Sequence, residues 1–263
     1  MTIDSPTSDA ASRPLAAIIL AAGKGTRMNS DLPKVAHEVA GRPMVTWVVD
    51  AVRRAGASRI VLVVGHAADT VRACFAGDDA DIEYVMQAEQ LGTGHAVEQC
   101  REAFAGFAGD VLVLAGDGPL IRPATIDAML ERHRGDAAAA TLATSVVEDP
   151  TGYGRVIRDA GGGFAAIVEQ KNATPEQLAV REIYPSYACF DAEAMFDQLA
   201  RLERDPVSGE YYVTELPAML RAAGRTVAVV DAVPPEDVLS INTPQQLAEV
   251  DAILRHRLAE VGA

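Results

Sequence analysis

Two glycines separated by one residue stand in Leu20-Ala21-Ala22-Gly23-Lys24-Gly25-Thr26-Arg27-Met28, directly after an apolar run. Such a bend turns consecutive backbone N–H groups inward and makes a nest for the oxygens of an anion. Arg27 and, past Pro33, Lys34 add cationic side chains to the same stretch. From Arg13 to Lys34 four basic residues face a single acid, Asp31, a local +3 in a chain whose 23 Lys and Arg against 37 Asp and Glu leave it at −14. That contrast predicts a phosphate-bearing ligand at the bend. A lone GxG is equally at home in a surface turn. Neither a Walker loop nor a dinucleotide fingerprint is present: Met28 takes the sixth position of GxGxxG, and no acid ends the next strand.

Asp117 follows the apolar segment Asp110 to Ala115 and precedes Gly118-Pro119, so its carboxylate projects from a strand's carboxyl end. One carboxylate there can hold Mg2+ between phosphates, since that ion takes one or two protein carboxylates plus substrate oxygens; the plain alternative is an Asx turn. Asn242, after the second apolar run Val238 to Ile241, supplies another hard oxygen, although before Thr243-Pro244 it also suits a helix start. The segment Gln87-Ala88-Glu89-Gln90-Leu91-Gly92-Thr93-Gly94-His95 offers amides and backbone groups that match the edge of a pyrimidine base, or simply a strand passing into a helix.

Other chemistries are excluded. Cys74, Cys100 and Cys189 form no CxxC and are expected as free thiols, and the five histidines make no HxxxH or HExxH spacing. A pI near 4.7 disfavours nucleic acid and anionic membrane as partners. No apolar run approaches the roughly 20 residues of a bilayer span. Residues 1–14 are polar, without the pattern of a signal peptide, and read as a disordered tail, so a cytoplasmic location is expected.

The elements that must position these residues alternate. β-Branched runs at Ala16–Ala21, Arg59–Val64, Ile82–Met86, Val111–Ala115 and Ala138–Ser145 are interleaved with amphipathic stretches at Met44–Ala55, Ala68–Phe75, Gly94–Ala103 and Pro123–Arg134. Gly56 and Gly135 are placed as helix stops. This is the pattern of an α/β fold with a mostly parallel sheet, whose ligands sit at the carboxyl ends of the strands. After Glu148 the chain becomes turn-rich and strand-rich, with strands expected at Val156–Arg158, Phe164–Glu169 and Glu182–Phe190, which reads as an inserted β lobe facing a substrate. Helical periodicity returns at Ala192–Leu202, Tyr211–Ala223 and Pro244–Leu258, around a strand at Thr226–Val230. The expected organisation is one domain, residues 15–263, in two halves, 15–147 and 148–263.

In order, LAAGKGTRM, Pro33-Lys34, QAEQLGTGHA, AGDGPL, DPTGYGRV, IVEQK, GEYYVTE and the Asn242 segment resemble the uridylyltransferase part of bacterial N-acetylglucosamine-1-phosphate uridyltransferases. The resemblance runs from about Leu15 to the last helix. It implies a Rossmann-like nucleotidyltransferase fold and the reaction UTP + N-acetylglucosamine 1-phosphate → UDP-N-acetylglucosamine + pyrophosphate, a step in making a cell-wall precursor. By motif match, Leu20, Ala21, Ala22, Gly23, Gly25 and Thr26 with Arg27 and Lys34 surround the triphosphate, Gln87, Gly92 and Thr93 hold uracil, and Gly116 borders the nucleotide. Asp117 and Asn242 ligate Mg2+; Arg27, Lys34 and Asp117 are the implied catalytic residues. Gly154, Glu169, Tyr184, Tyr212 and Thr214 are implied on the sugar, so the resemblance makes 15–147 the nucleotide-binding half and 148–263 the sugar-binding half.

The chain departs from that family in two places. It reads Glu182-Ile183-Tyr184-Pro185-Ser186 where the family has Glu-(Val/Ile)-Asn, so an amide expected against the amino sugar is here a phenol. It also carries no hexapeptide repeats of the left-handed β-helix that, in bifunctional members, transfers acetyl groups and builds a trimer. Acetyl transfer and that trimer are expected to be absent, which leaves the oligomeric state open. The expected partners are UTP and a sugar 1-phosphate, with no nucleic acid and no membrane. A different sugar 1-phosphate or nucleotide, and a non-catalytic UDP-sugar sensor, are the rival readings.

Overall fold

The computed structural model describes residues 13–261 apart from 24, 29 and 66. Most of the expected tail, and Lys24 of the glycine bend, therefore lie outside the described residues. In chain order the elements are β1 (Leu15–Ala21), β2 (Glu38–Val39), β3 (Arg42–Pro43), α1 (Met44–Arg54), β4 (Arg59–Val64), α2 (Ala68–Ala73), β5 (Ile82–Met86), α3 (Thr93–Glu98), β6 (Asp110–Ala115), α4 (Pro123–Gly135), β7 (Ala140–Val146), β8 (Gly154–Arg158), β9 (Phe164–Val168), α5 (Pro175–Leu178), β10 (Glu182–Asp191), α6 (Ala192–Leu199), α7 (Leu216–Ala222), β11 (Val227–Asp231) and α8 (Pro244–Val261).

The main sheet runs β11-β7-β10-β6-β1-β4-β5, with β8 and β9 continuing from β10. β1 is parallel to both β4 and β6. The chain builds outward from β1 through β4 to β5, then returns to the other side of β1 to lay down β6. Connections after β1 and β6 thus diverge to opposite directions and leave a crevice beyond their carboxyl ends, the place where open α/β sheets take ligands. β1 alternates sides: Ala17 and Ile19 pack with α1, α2, α4 and α8, while Ala16 and Ile18 pack with α3, α6 and α7. A strand buried on both faces must be apolar throughout, which is why Leu15–Ala21 carries no polar residue. Each fully buried Ile or Leu contributes about 1.5–3 kcal/mol.

Local signals explain the helix limits. α1 places Met44, Val45, Val48, Val49 and Val52 on one buried face, and Gly56 ends it at φ 82°. α6 starts where the Asp191 carboxylate accepts the Ala194 N–H at 2.9 Å. Gly135 is not the stop expected of it: it closes α4 as its last residue, and Ala137 takes the left-handed conformation at φ 46°. α3 ends at Glu98, short of Ala103, in a series of turns, and Tyr211–Ala223 is a short 3-10 turn, Val213–Glu215, followed by α7.

The larger difference concerns the second half. β10 lies antiparallel between β6 and β7, so the lobe expected after Glu148 shares the central sheet, and only β8 and β9 extend from it. Among the described residues no helix is long and apolar enough to cross a membrane. All three cysteines are free, Cys100 and Cys189 buried and Cys74 half-buried.

Candidate active site

Beyond the carboxyl ends of β1 and β6 opens a cleft of ≈ 570 Å³. One wall comes from the glycine bend and the turn after it. Gly23 is exposed, with nothing within 4 Å of where a Cβ would sit, so its backbone faces open space. Gly25 has φ 63°, and a Cβ there would lie 2.5 Å from the Lys34 Cβ. The bend is therefore closed tightly over the lysine that follows it. Gly116 N donates to Leu20 O at 3.0 Å, and a Cβ at Gly116 would lie 2.9 Å from the same oxygen, which brings the ends of β1 and β6 together.

Four side chains meet to form a cationic floor; Arg27, Lys34 and Asp117 line the cleft, and Asn242 joins them from outside its lining. Lys34 Nζ pairs with the Asp117 carboxylate and donates to Asn242 Oδ1 at 3.0 Å, and Arg27 Nη2 donates to that same oxygen at 2.8 Å. Asn242 is itself oriented by two bonds: its N–H donates to Gln246 Oε1 at 2.9 Å and its Nδ2 donates to Ser240 Oγ at 3.2 Å. Asp117 is tied to the same loop, since Ile241 N donates to Asp117 O at 3.3 Å. Two cations against one carboxylate leave this point with surplus positive charge.

A second wall is built by the turn between β5 and α3. Gln87, 3% exposed, donates its Nε2 to Gly92 O at 3.1 Å, and Gln90 Nε2 donates to Gln87 O at 3.1 Å. Gly92 has φ 107°, and a Cβ there would come within 2.4 Å of Tyr211 O. Only glycine satisfies both constraints. Thr93 Oγ1 accepts from Val213 N at 3.0 Å, which fastens this turn to the segment bearing Tyr212 and Thr214.

The third wall holds the remaining candidates. Thr214 Oγ1 donates to Glu169 Oε1 at 3.0 Å. Lys171 bonds the Tyr212 hydroxyl, which in turn donates to Ser208 Oγ at 2.8 Å. Tyr184, 6% exposed, packs into the core beneath, and burial, with the Glu169 charge adding to it, pushes its phenol well above the usual range. Burial likewise raises the carboxyl of nearby Glu215, with Asp205 and Glu169 contributing.

Leu20, Ala22, Gly23, Arg27, Lys34, Gln87, Gly92, Thr93, Asp117, Glu169, Tyr184, Tyr212 and Thr214 all line this one cleft. Ala21 faces an adjoining hollow with Ala22 and Gly23, and Thr26 opens the turn Thr26–Met28. Gly154 stands behind the third wall, where a Cβ would lie 2.8 Å from the Ile167 Cγ2 and 3.9 Å from Glu169 Oε1. Gln90, Glu210 and Ser186 also line the cleft. The first two lie inside motifs already singled out; for Ser186 the only signal was its place beside Tyr184.

Residues 17–215 match the MobA-like NTP transferase domain, and the chain belongs to that family. It is an α/β nucleotidyltransferase. More particularly, it is 48% identical over 244 residues to the bifunctional protein GlmU of Geobacter metallireducens, covering 93% of this chain and 51% of that protein. With the GlmU of Pelobacter propionicus the identity is 48%, over 93% of this chain and 53% of the relative, and with that of Bacillus licheniformis 43%, over 92% and 52%. The chain spans about half the length of the curated relatives it matches. The resemblance carried by the motifs thus holds for nearly the whole chain.

Proposed function

We propose that this chain is a sugar-1-phosphate uridylyltransferase, making UDP-N-acetylglucosamine and pyrophosphate from UTP and N-acetylglucosamine 1-phosphate. The observation that carries the reading is the meeting of Arg27, Lys34, Asp117 and Asn242 between a wall of amides and a wall of hydroxyls with a carboxylate. A polyanion fits the cationic floor, a pyrimidine edge fits Gln87 and Gly92, and sugar hydroxyls fit Glu169 and Thr214.

Mg2+ is the cation we assign, with Asp117 and Asn242 as protein ligands. The donor set fits: one carboxylate and one amide oxygen already converge on a single positive charge, the Lys34 ammonium. When bound, the ion neutralises charge on phosphate oxygens. The remaining work belongs to the chain. Arg27 and Lys34 hold phosphate oxygens, the glycine bend presents N–H groups, and the two further walls fix nucleotide and sugar so that the acceptor phosphate lies in line with the α-phosphorus of UTP. An oxygen of the sugar phosphate forms the new P–O bond as the α–β bond breaks and pyrophosphate leaves. Because the second pKa of a phosphate monoester is about 6, that oxygen is ionised at neutral pH and needs no general base. At 4 Å a unit charge contributes about 4 kcal/mol at an effective dielectric near 20, so the cations dominate.

The test is pyrophosphate release from UTP and Mg2+ with N-acetylglucosamine 1-phosphate, compared with glucose 1-phosphate. Turnover with the amino sugar is expected; none with any sugar 1-phosphate, despite tight nucleotide binding, would make the chain a sensor. Tyr184, in the place of an expected amide, favours one second reading: a nucleotidyltransferase for another sugar 1-phosphate, which preference for the glucose compound would establish.

A further inference from the structure

Three described residues other than glycine have left-handed backbone: Ala40 at φ 50°, Ala137 at 46° and Ser186 at 69°. Ala40 turns the chain between β2 and β3, and Ala137 lies two residues past the end of α4. Ser186 alone of the three lines the cleft, and it does so with an exposed side chain. A residue with a Cβ carries a steric cost in this conformation, and such strain persists where surrounding structure imposes it, often at binding sites.

The cause is a bulge in β10. Ile183 pairs with Ser145 and Tyr187 with Ala143, so three residues, Tyr184, Pro185 and Ser186, stand opposite one residue of β7, Thr144. Pro185 has no N–H to give to the ladder, which favours the break at this point. On the other side Tyr184 pairs with Gly154, beside Glu169, while Tyr187 opposes Leu114 of β6. Ser186 is thus carried to the seam between the Glu169 and Thr214 wall and the end of β6 that leads to Asp117. The acceptor must cross that seam, its ring on one side and its phosphate on the other.

We propose that Ser186 is an acceptor-binding residue, its hydroxyl hydrogen-bonding the sugar 1-phosphate where ring meets phosphate, with the left-handed backbone retained to aim it there. The inference rests on the transfer reaction proposed above. It is tested with Ser186→Ala, which keeps the strain and removes the hydroxyl, and Ser186→Gly, which removes both. In both variants KM for the sugar 1-phosphate is expected to rise about five- to tenfold, the range a lost hydrogen bond spans, while KM for UTP stays within twofold. Ser186→Gly is expected to melt at the wild-type temperature or above, because glycine tolerates this φ. An unchanged KM for the sugar phosphate in both variants of an active enzyme overturns the role of Ser186. So does a rise confined to a variant that also melts lower. A wild-type enzyme that releases no pyrophosphate with any sugar 1-phosphate instead overturns the transfer reaction itself.

Discussion

Strand β6 begins at Asp110 and points to Asp117 just past its other end, and the two aspartates have opposite fates. Asp110 is fully buried, and Arg13 Nε lies 2.9 Å and Arg134 Nε 2.8 Å from its oxygens. His133 Nε2 is 3.6 Å away, and Arg13 also pairs with Asp191 at 2.7 Å. There two guanidinium groups balance two carboxylates, and the cluster lines a hollow of ≈ 760 Å³ at the amino-terminal end of the sheet. At the carboxyl-terminal end Asp117 keeps 15% exposure and Lys34 17%, and the pair shares Asn242 with Arg27. The charges there do not cancel. The same residue types form a charge-balanced cluster at one end of the sheet and leave excess positive charge at the crevice of the other.

The sharpest way to break this contrast is to exchange the two aspartates for alanine. Asp117→Ala is expected to lower turnover about a thousandfold, about 4 kcal/mol, with the melting temperature unchanged; a pyrophosphate assay that keeps its full rate removes Asp117 from the site. Asp110→Ala should do the reverse. Removing one partner of a buried ion pair costs about 3 kcal/mol, to be read from urea unfolding, while KM for both substrates in the folded fraction stays within twofold. Arg27→Ala, at the open end, is expected to slow turnover about a hundredfold, about 2.7 kcal/mol, and less than a twofold change would show that Lys34 alone holds the phosphates.

The smallest effect is a pH dependence at the amino-terminal end. Burial drives the His133 imidazole below its ordinary value of about 6.5, against the upward pull of Asp110, and the ring keeps a 3.0 Å contact with Thr141 Oγ1. A base depressed in the fold is neutral there; as pH falls below 6.5 the unfolded chain takes the proton more readily and stability is lost. The urea midpoint is expected to be lower at pH 5.5 than at pH 7.5, and the difference to shrink in His133→Gln. An equal difference in both proteins would place the titration elsewhere.

Much of the first half was legible. The limits of β4 and β5 follow from short runs rich in β-branched residues between turn signals; β4, buried along five of its six residues, needs little beyond apolar content, while β5, at the sheet edge, is partly exposed and admits Glu83. Gly23 and Asp117 stood out because each lies just past such a run, where a parallel sheet exposes its ends, and Arg27 and Lys34 because they add cationic charge to the stretch after the bend in an acidic chain. The region after Glu148 was harder. β10 contains Pro185 and Tyr184 and a bulge, and its neighbours β6 and β7 lie far from it in sequence, so nothing local marks it as a central strand. Gly135 and Ala137 show a smaller failure: packing after α4 set the left-handed residue two positions beyond the glycine that propensity favours. Arg155 was invisible too. It is 2% exposed on β8, where its guanidinium bonds Tyr153 O and Gln170 Oε1 instead of a carboxylate, and burial lowers its pKa.

What the amino-acid order determined by itself is everything that acts over a few residues: the apolar strands, the glycine bend, the caps, and the chemical types available for binding phosphate, base and sugar. What only the tertiary structure decided is which of those types meet. Lys34 and Asn242 are 208 positions apart and become partners because the strand order reverses between the parallel β1 and β6, so that loops from both halves end over one crevice. Asp110 and Asp117 begin as equivalent carboxylates, and the balance of charge folded around each sets them apart: two cations meet two carboxylates at Asp110, and two cations meet one at Asp117.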